Sequence, residues 1–365
     1  MTLIQERLRE LEQYKPTGTR PEGFERFWLD RLKADNPAAA KLELEEIVYP
    51  LQQIQVFKAA LPAGDGVILR GYYLRPAHPL AFRPVSNLAE QCLEYGSEHS
   101  SKSASSEGNP AGTITKYPGL VRFHGYSGNR GQISELLLWA LQGYAILALD
   151  VRGQCGETPD GRSYPTGRFS GWLTLGLDSP ENHYFRQVYL DALRAVEALS
   201  HQPEVDEKRL GVFGKSQGGG LAVAAAGLAN GLGERAGLQA RVKAVSAAIP
   251  FLADFRGGFR LHTDGPLVEL SNYFRYFDPE HKHEEGIFEV LDYFDILHFA
   301  PWFGEQMQSL ISIGLKDTAC PPPSIHALYR AVSGEKRLLV YPEYGHESPD
   351  EFVDRQIKLF IESLN

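Results

Sequence analysis

The stretch Leu210-Gly211-Val212-Phe213-Gly214-Lys215-Ser216-Gln217-Gly218-Gly219-Gly220-Leu221-Ala222-Val223-Ala224-Ala225-Ala226 decides the fold. The strand read here, 209–213, opens on Arg209 and continues as a short apolar run from Leu210 of the kind that forms a buried strand. The segment 218–229 is rich in Gly and Ala and reads as a closely packed helix. Between them stands a G-x-S-x-G pentapeptide, Gly214 to Gly218. A turn from strand directly into helix is tight, so it needs glycines beside the central residue, and it lifts that residue above the sheet. Gly214-Lys215-Ser216 also resembles the end of a phosphate-binding loop. That motif needs a glycine where Arg209 stands, so this reading is rejected.

The same strand–helix rhythm extends outward. An apolar strand over 120–123 ends in His124-Gly125. A helix over 133–142 leads to a strand over 144–149, which ends at Asp150. Val188, Ala192, Val196 and Leu199 step along one face of a helix over 187–200. Strands follow over 243–249, 310–313 and 337–341. Alternation at this spacing implies a mostly parallel sheet with helices on both faces, joined by right-handed crossovers. The continuous apolar strands fit a sheet covered on both sides. Two further strands precede it, over 42–60 and 67–74, with Gly64-Asp65-Gly66 as the turn between them.

Length and composition fit one large α/β domain over 1–365. Residues 1–40 read as a charged helical arm, with Phe24, Phe27, Trp28 and Leu32 on a face that packs on the main body. Six serines fall within 97–106, and 82–116 reads as a flexible surface insertion. Residues 251–296 break the rhythm with ten Phe and Tyr among many charges, which fits a cap, a subunit interface or a plain structural lid.

The chain has 365 residues and a formal charge of −9. An acidic balance with no basic run argues against nucleic acid or an anionic membrane as partner. No apolar run approaches the roughly 18 residues a membrane span needs. Three cysteines, Cys92, Cys155 and Cys320, cannot build a disulfide framework and match no zinc spacing. With Glu6, Glu10 and Glu12 in place of an apolar signal core, the chain is expected in a reducing, cytoplasmic compartment. His281-Lys282-His283-Glu284-Glu285 offers no third ligand at a defined spacing, and His346-Glu347 lacks the second histidine of H-E-x-x-H. No metal and no cofactor are expected.

A serine hydroxyl needs a base to take its proton. His346, in the turn after the strand over 337–341, comes last in the chain, as the base does in folds built on this elbow. His298 and His326 lie in helical or aromatic contexts that favour packing. The carboxylate that orients the base should follow a strand between serine and histidine, and Asp317 meets that requirement. Its alternative is a turn aspartate capping the next helix. Asp292 and Asp295 lie in the 251–296 segment and fit less well. An oxyanion needs two donors. The Gln217 amide is one, and the Tyr126 amide in His124-Gly125-Tyr126-Ser127-Gly128 is the other, unless that segment is only a tight turn in which Tyr126 packs. Arg152 and Gln154, just past the strand ending at Asp150, are read as supporting neighbouring loops.

With these residues in place, the sequence resembles the acetyl xylan esterase and cephalosporin C deacetylase family, carbohydrate esterase family 7, of the α/β-hydrolase fold. Arg152-Gly153-Gln154 matches its R-G-Q, Gly214 to Gly219 its G-x-S-Q-G-G, and His346-Glu347 its H-E. The run from Phe123 to Tyr126 and the segment from Asp317 to Pro322 also look like family segments, and the likeness covers most of 20–360. The resemblance implies deacetylation of small O-acetyl esters: xylo-oligosaccharides, other acetylated sugars and the acetoxy group of cephalosporins. It implies Ser216, Asp317 and His346 as the triad, with the amides of Tyr126 and Gln217 as the oxyanion hole. It also implies an intracellular homohexamer with active sites facing an internal cavity built partly by 251–296. The insertion near 82–116 is longer than the family leads one to expect. The alternatives are another serine hydrolase of the same fold, such as a peptidase or long-chain esterase, and a hydrolase-like protein that only binds.

Overall fold

The computed structural model of the protein describes residues 3–77, 116–165 and 171–364. The serine-rich stretch assigned to 82–116 therefore lies outside the described residues, Lys116 apart. Nine strands among the described residues form one sheet: β1 (Glu43–Ile47), β2 (Ile54–Pro62), β3 (Ile68–Pro76), β4 (Tyr117–Phe123), β5 (Ala145–Leu149), β6 (Val205–Lys215), β7 (Val242–Ala248), β8 (Gln308–Gly314) and β9 (Glu335–Tyr341). Their order is β1-β2-β3-β5-β4-β6-β7-β8-β9. From β5 to β9 every pairing is parallel, as the alternating pattern predicts. The β1-β2-β3 meander and its join to β5 are antiparallel.

The segment 42–60, read from sequence as one strand, is two. The chain reverses between Ile47 and Ile54, and β1 pairs back on β2 with Ile47 opposite Val56. The tip carries no Gly, and Pro50 is its one turn-favouring residue. β5 is buried at all five positions, which explains its unbroken apolar run.

Helices cover both faces. On one, α3 (Ile133–Leu141) and α10 (Glu351–Leu364) meet over β6: the Trp139 ring lies 4.8 Å from Phe213 and 5.5 Å from Phe360. On the other, α4 (Tyr184–Ser200) packs against α5 (Gln217–Gly231). α5 is Gly- and Ala-rich, and thirteen of its fifteen residues are buried. The N-terminal helices are α1 (Leu3–Gln13) and α2 (Phe24–Asp35). Phe24, Trp28 and Leu32 of α2 are fully buried and Phe27 partly so. Trp28 donates its indole N–H to the Tyr293 carbonyl at 3.1 Å.

Residues 251–296 contribute α6 (Phe255–Leu261), α7 (Val268–Phe277) and α8 (Glu284–Asp292). Half of their ten aromatics, Phe251, Phe255, Phe274, Phe288 and Phe294, are buried within the chain, whereas Tyr276 and Phe277 are exposed. Packing onto the main body thus accounts for much of this aromatic content. Between β8 and β9 runs α9 (Pro322–Ala331). No helix of the described residues is long and apolar enough to cross a membrane. Cys155 and Cys320 are free.

Candidate active site

The elbow predicted at 214–218 is present. β6 ends at Lys215 and α5 begins at Gln217, leaving Ser216 alone between them with φ 56° and ψ −123°. A non-glycine residue is rare there and costs of the order of 1–3 kcal/mol, which surrounding bonds must hold in place. The Ser216 amide donates to the Ala248 carbonyl at 2.9 Å, and its carbonyl accepts from the amides of Gly220 and Phe251 at 3.1 and 3.0 Å. A Cβ on Gly218 would fall 2.1 Å from the Phe123 carbonyl oxygen, so only glycine lets α5 start this close to the end of β4. Ser216 stands at the N-terminal end of α5, where helix amides lack intrahelical partners and favour negative charge.

The structure brings the three distant side chains together. His346 Nε2 lies 2.9 Å from Ser216 Oγ. His346 Nδ1 lies 2.8 Å from Asp317 Oδ2. Asp317 follows β8 and is fully buried, whereas the His346 ring is 32% exposed. The other oxygen of Asp317 accepts the amides of Ala319 and Cys320 at 2.9 and 2.8 Å. Asp317 thus contacts the imidazole with one oxygen and holds the turn before α9 with the other. His298 and His326, set aside from sequence, are buried in packing, His298 edge-on to Phe24 at 5.6 Å. Asp292 binds Arg256, and Asp295 accepts from the amides of Asp254, Phe255 and Leu297. Both lie away from His346 in the hydrogen-bond pattern.

The loop after β4 lies against the elbow: a Cβ on Gly125 would sit 3.9 Å from Ser216 Cβ. This puts the Gly125–Tyr126 backbone beside the serine. His124 Nε2 accepts the Val151 amide at 2.9 Å, so Nδ1 carries the proton and donates to the Gly125 carbonyl at 2.8 Å. Burial lowers the His124 pKa, which keeps the ring neutral as a tie between this loop and the segment after β5.

Arg152 and Gln154 sit beneath the site. Arg152 is fully buried. It donates from Nε and Nη2 to Asp191 at 2.6 and 2.9 Å and from Nη1 to Asp65 at 2.7 Å. Burial alone would lower its pKa, but the two carboxylates outweigh it and raise it. The Gln154 and Gln217 side chains exchange amide hydrogen bonds at 2.8 and 3.1 Å. Tyr184 accepts from Gln154 at 3.2 Å and donates to the Arg152 carbonyl at 2.6 Å. The Arg-Gly-Gln turn thus braces the residue that follows Ser216.

Tyr126 is placed by a residue the sequence reading missed. Its hydroxyl donates to Glu269 on α7, 2.8 and 2.9 Å from the two carboxylate oxygens. Glu269 lies within a charge-rich segment and carries no motif, so nothing in the sequence singled it out. Burial raises its pKa to about 7, against hydrogen bonds from Tyr126 and the Leu173 amide that favour the ionised form. Tyr126, Trp172, Ser216, Glu269 and His346 line a cavity of about 1180 Å³, with Pro266 at its wall. That volume exceeds an acetyl group many times over and accommodates a sugar-sized alcohol.

Among the described residues, ligand atoms of Asp317, Cys320 and His346 lie within 4.8 Å of one another. Burial, reinforced by Asp317, pushes the Cys320 thiol pKa up. A thiol binds metal as the thiolate, so this environment works against metal ligation. Chemically the arrangement offers an activated hydroxyl, a base oriented by a buried carboxylate, and helix-end amides beside them.

The family model described as acetyl xylan esterase (AXE1) matches residues 1–86 and 93–364. The solved acetyl xylan esterase from Paenibacillus sp. R4 is 36% identical, with a TM-score of 0.80 and coverage of 100% of both chains. Acetyl xylan esterase 1 from Thermoanaerobacterium sp. JW/SL YS485 is 30% identical, with a TM-score of 0.80 over 99% of this chain and 98% of that one. A curated relative, acetyl esterase Axe7A of Xylanibacter ruminicola, is 28% identical over 217 residues. The match covers 58% of this chain and 45% of the relative, so it spans less than half of that protein's length.

Proposed function

This chain belongs to the acetyl xylan esterase family, a family of carboxylic ester hydrolases, and we propose that it removes acetyl groups from small O-acetylated substrates through an acetyl-serine intermediate. The observation that carries this reading is the continuous relay from Asp317 through His346 to Ser216, with bonds of 2.8 and 2.9 Å.

In the first step the Ser216 oxygen attacks the acetyl carbon and its proton passes to His346 Nε2. The Tyr126 and Gln217 amides stabilise the oxyanion, each such donor being worth roughly 3–4 kcal/mol. The C–O bond to the alcohol then breaks, and the imidazolium, stabilised by Asp317, returns the proton to the departing oxygen. In the second step His346 takes a proton from water, the resulting hydroxide attacks the acetyl carbon, and acetate leaves as Ser216 regains its proton.

The substrates proposed are acetylated xylo-oligosaccharides, other acetylated sugars and cephalosporin C. The cavity of about 1180 Å³ supports an alcohol of that size. The proposed assembly is a homohexamer of single-domain subunits in the cytoplasm. Exposed Leu261, Tyr276 and Phe277 on the 251–296 segment support an interface there. Sedimentation of the purified chain tests the assembly, a six-subunit mass being expected. The function is tested by acetate release from acetylated xylo-oligosaccharides and cephalosporin C, set beside octanoyl esters and peptide amides. Faster cleavage of acetyl esters than of the other two is expected, and preference for octanoyl esters or amides overturns the substrate class.

A further inference from the structure

Glu269 reaches the site from outside the main sheet. Its carboxylate accepts a hydrogen bond from the Tyr126 hydroxyl, which lies within reach of both oxygens. The Tyr126 oxygen in turn accepts the amides of Trp172 and Leu173, each at 2.9 Å. The Leu173 amide is shared with Glu269 Oε2, also at 2.9 Å. Three segments distant in sequence, the loop after β4, the turn at 171–173 and helix α7, are therefore joined at one phenol. The chain makes room for this: a Cβ on Gly171 (φ 103°) would fall 1.9 Å from the Glu269 carboxyl carbon.

We propose that Glu269 is a positioning residue for ester cleavage, holding Tyr126 so that the 124–127 loop keeps its amide aimed at the oxygen of the substrate bound at Ser216. A second route to the serine runs through packing. The Tyr126 ring stands edge-on to Phe251 at 6.1 Å, and the Phe251 amide donates to the Ser216 carbonyl. The hydroxyl that Glu269 grips is also kept as a donor, because burial, reinforced by that carboxylate, raises the Tyr126 pKa. Oxyanion donors act only over a few tenths of an ångström, and a misplacement of about 1 Å costs on the order of a hundredfold in rate. Releasing Tyr126 should therefore slow the chemical step more than it weakens binding of a small ester.

This inference rests on the reading of Ser216 as nucleophile and Tyr126 as oxyanion donor. Its test is kcat and KM on 4-nitrophenyl acetate for Glu269→Ala, Glu269→Gln, Tyr126→Phe and the Tyr126→Phe/Glu269→Ala double variant. Glu269→Ala and Tyr126→Phe should each lower kcat about 10- to 100-fold while KM moves less than about threefold. Glu269→Gln keeps an acceptor for the phenol and should recover at least about a third of the parent kcat. Because both residues act through one hydrogen bond, the double variant should be no slower than about threefold below the slower single. Parent-like kcat in Glu269→Ala, equal losses in the Gln and Ala variants, or multiplicative losses in the double variant overturn the proposal. If Glu269→Ala does not fold, Tyr126→Phe, which deletes a single oxygen, and Glu269→Gln carry the same comparison. Ser216→Ala separates the two levels: activity retained there ends the reading beneath, whereas an inactive Ser216→Ala beside an unaffected Glu269 series ends only this inference.

Discussion

Asp317 divides its two carboxylate oxygens between His346 Nδ1, at 2.8 Å, and the amides of Ala319 and Cys320. The fully buried carboxylate is thus fixed by the backbone before it touches the ring, and the ring is fixed in turn with its Nε2 toward Ser216. An Nδ1–H donated to Asp317 leaves Nε2 unprotonated and ready to accept from the serine hydroxyl.

Asp317→Asn should keep the turn, because its side-chain oxygen can still accept the two amides. It presents an N–H or a neutral carbonyl to the ring, which disturbs the tautomer and withdraws the charge that stabilises the imidazolium. We expect kcat on 4-nitrophenyl acetate to fall by about 10³- to 10⁴-fold, with the melting temperature within a few degrees of the parent. Steady-state kinetics beside a thermal melt checks this, and a loss below tenfold contradicts the role given to Asp317.

Arg152 has no direct contact with Ser216, yet it joins the turn before β3, through Asp65, to α4, through Asp191. Arg152→Met removes the cation and leaves two carboxylates facing each other in the interior. Breaking a buried pair in this way costs about 3–5 kcal/mol. Urea unfolding at neutral pH should show a midpoint lowered accordingly. Arg152→Lys should not restore it, since an ammonium cannot bond both carboxylates through a planar fork. An unchanged midpoint in Arg152→Met contradicts the bracing role.

Glu269 gives a pH signature in stability. Its folded pKa is raised to about 7, above the ordinary glutamate value, mainly by burial. Between that ordinary value and about 7 the folded state holds a proton the unfolded chain has lost, so this group's contribution is full at lower pH and falls as pH rises through about 7. Glu269→Gln removes the dependence. Relative to the parent, the variant should gain on the order of 3 kcal/mol on going from pH 4.5 to pH 8. Paired urea titrations at the two pH values measure the difference. A parallel shift of both proteins contradicts the assignment.

The parts of the site that sequence displayed were those whose geometry leaves a local mark. Ser216 needs glycines on both sides of an elbow, and Asp317 and His346 sit just past strand ends, where the strand–helix rhythm marks their places. The 48–53 reversal was missed because it carries no glycine and its one breaker, Pro50, stands alone within a long run that has strand character on both sides. Glu269 was missed for a different reason. Its partners, Tyr126 and Leu173, lie 143 and 96 residues away, and one glutamate on an amphipathic helix looks like any solvated charge. The bracing of Gln217 by Gln154 likewise depends on a contact across 63 residues, which no local pattern encodes. The Arg152-Gly153-Gln154 motif marked the neighbourhood of Arg152 but not its two carboxylate partners, Asp65 and Asp191, which lie 87 and 39 residues away.

The most direct measurement follows the acyl group itself. The enzyme is mixed with excess 4-nitrophenyl acetate, quenched in acid within the first turnovers, digested, and the mass of the peptide bearing residue 216 is read. A single added acetyl is expected on Ser216 in the parent and none on that peptide in Ser216→Ala, whose turnover should fall about 10⁴- to 10⁶-fold. An acetyl carried by another residue, or a Ser216→Ala variant that turns over within tenfold of the parent, would contradict Ser216 as the nucleophile.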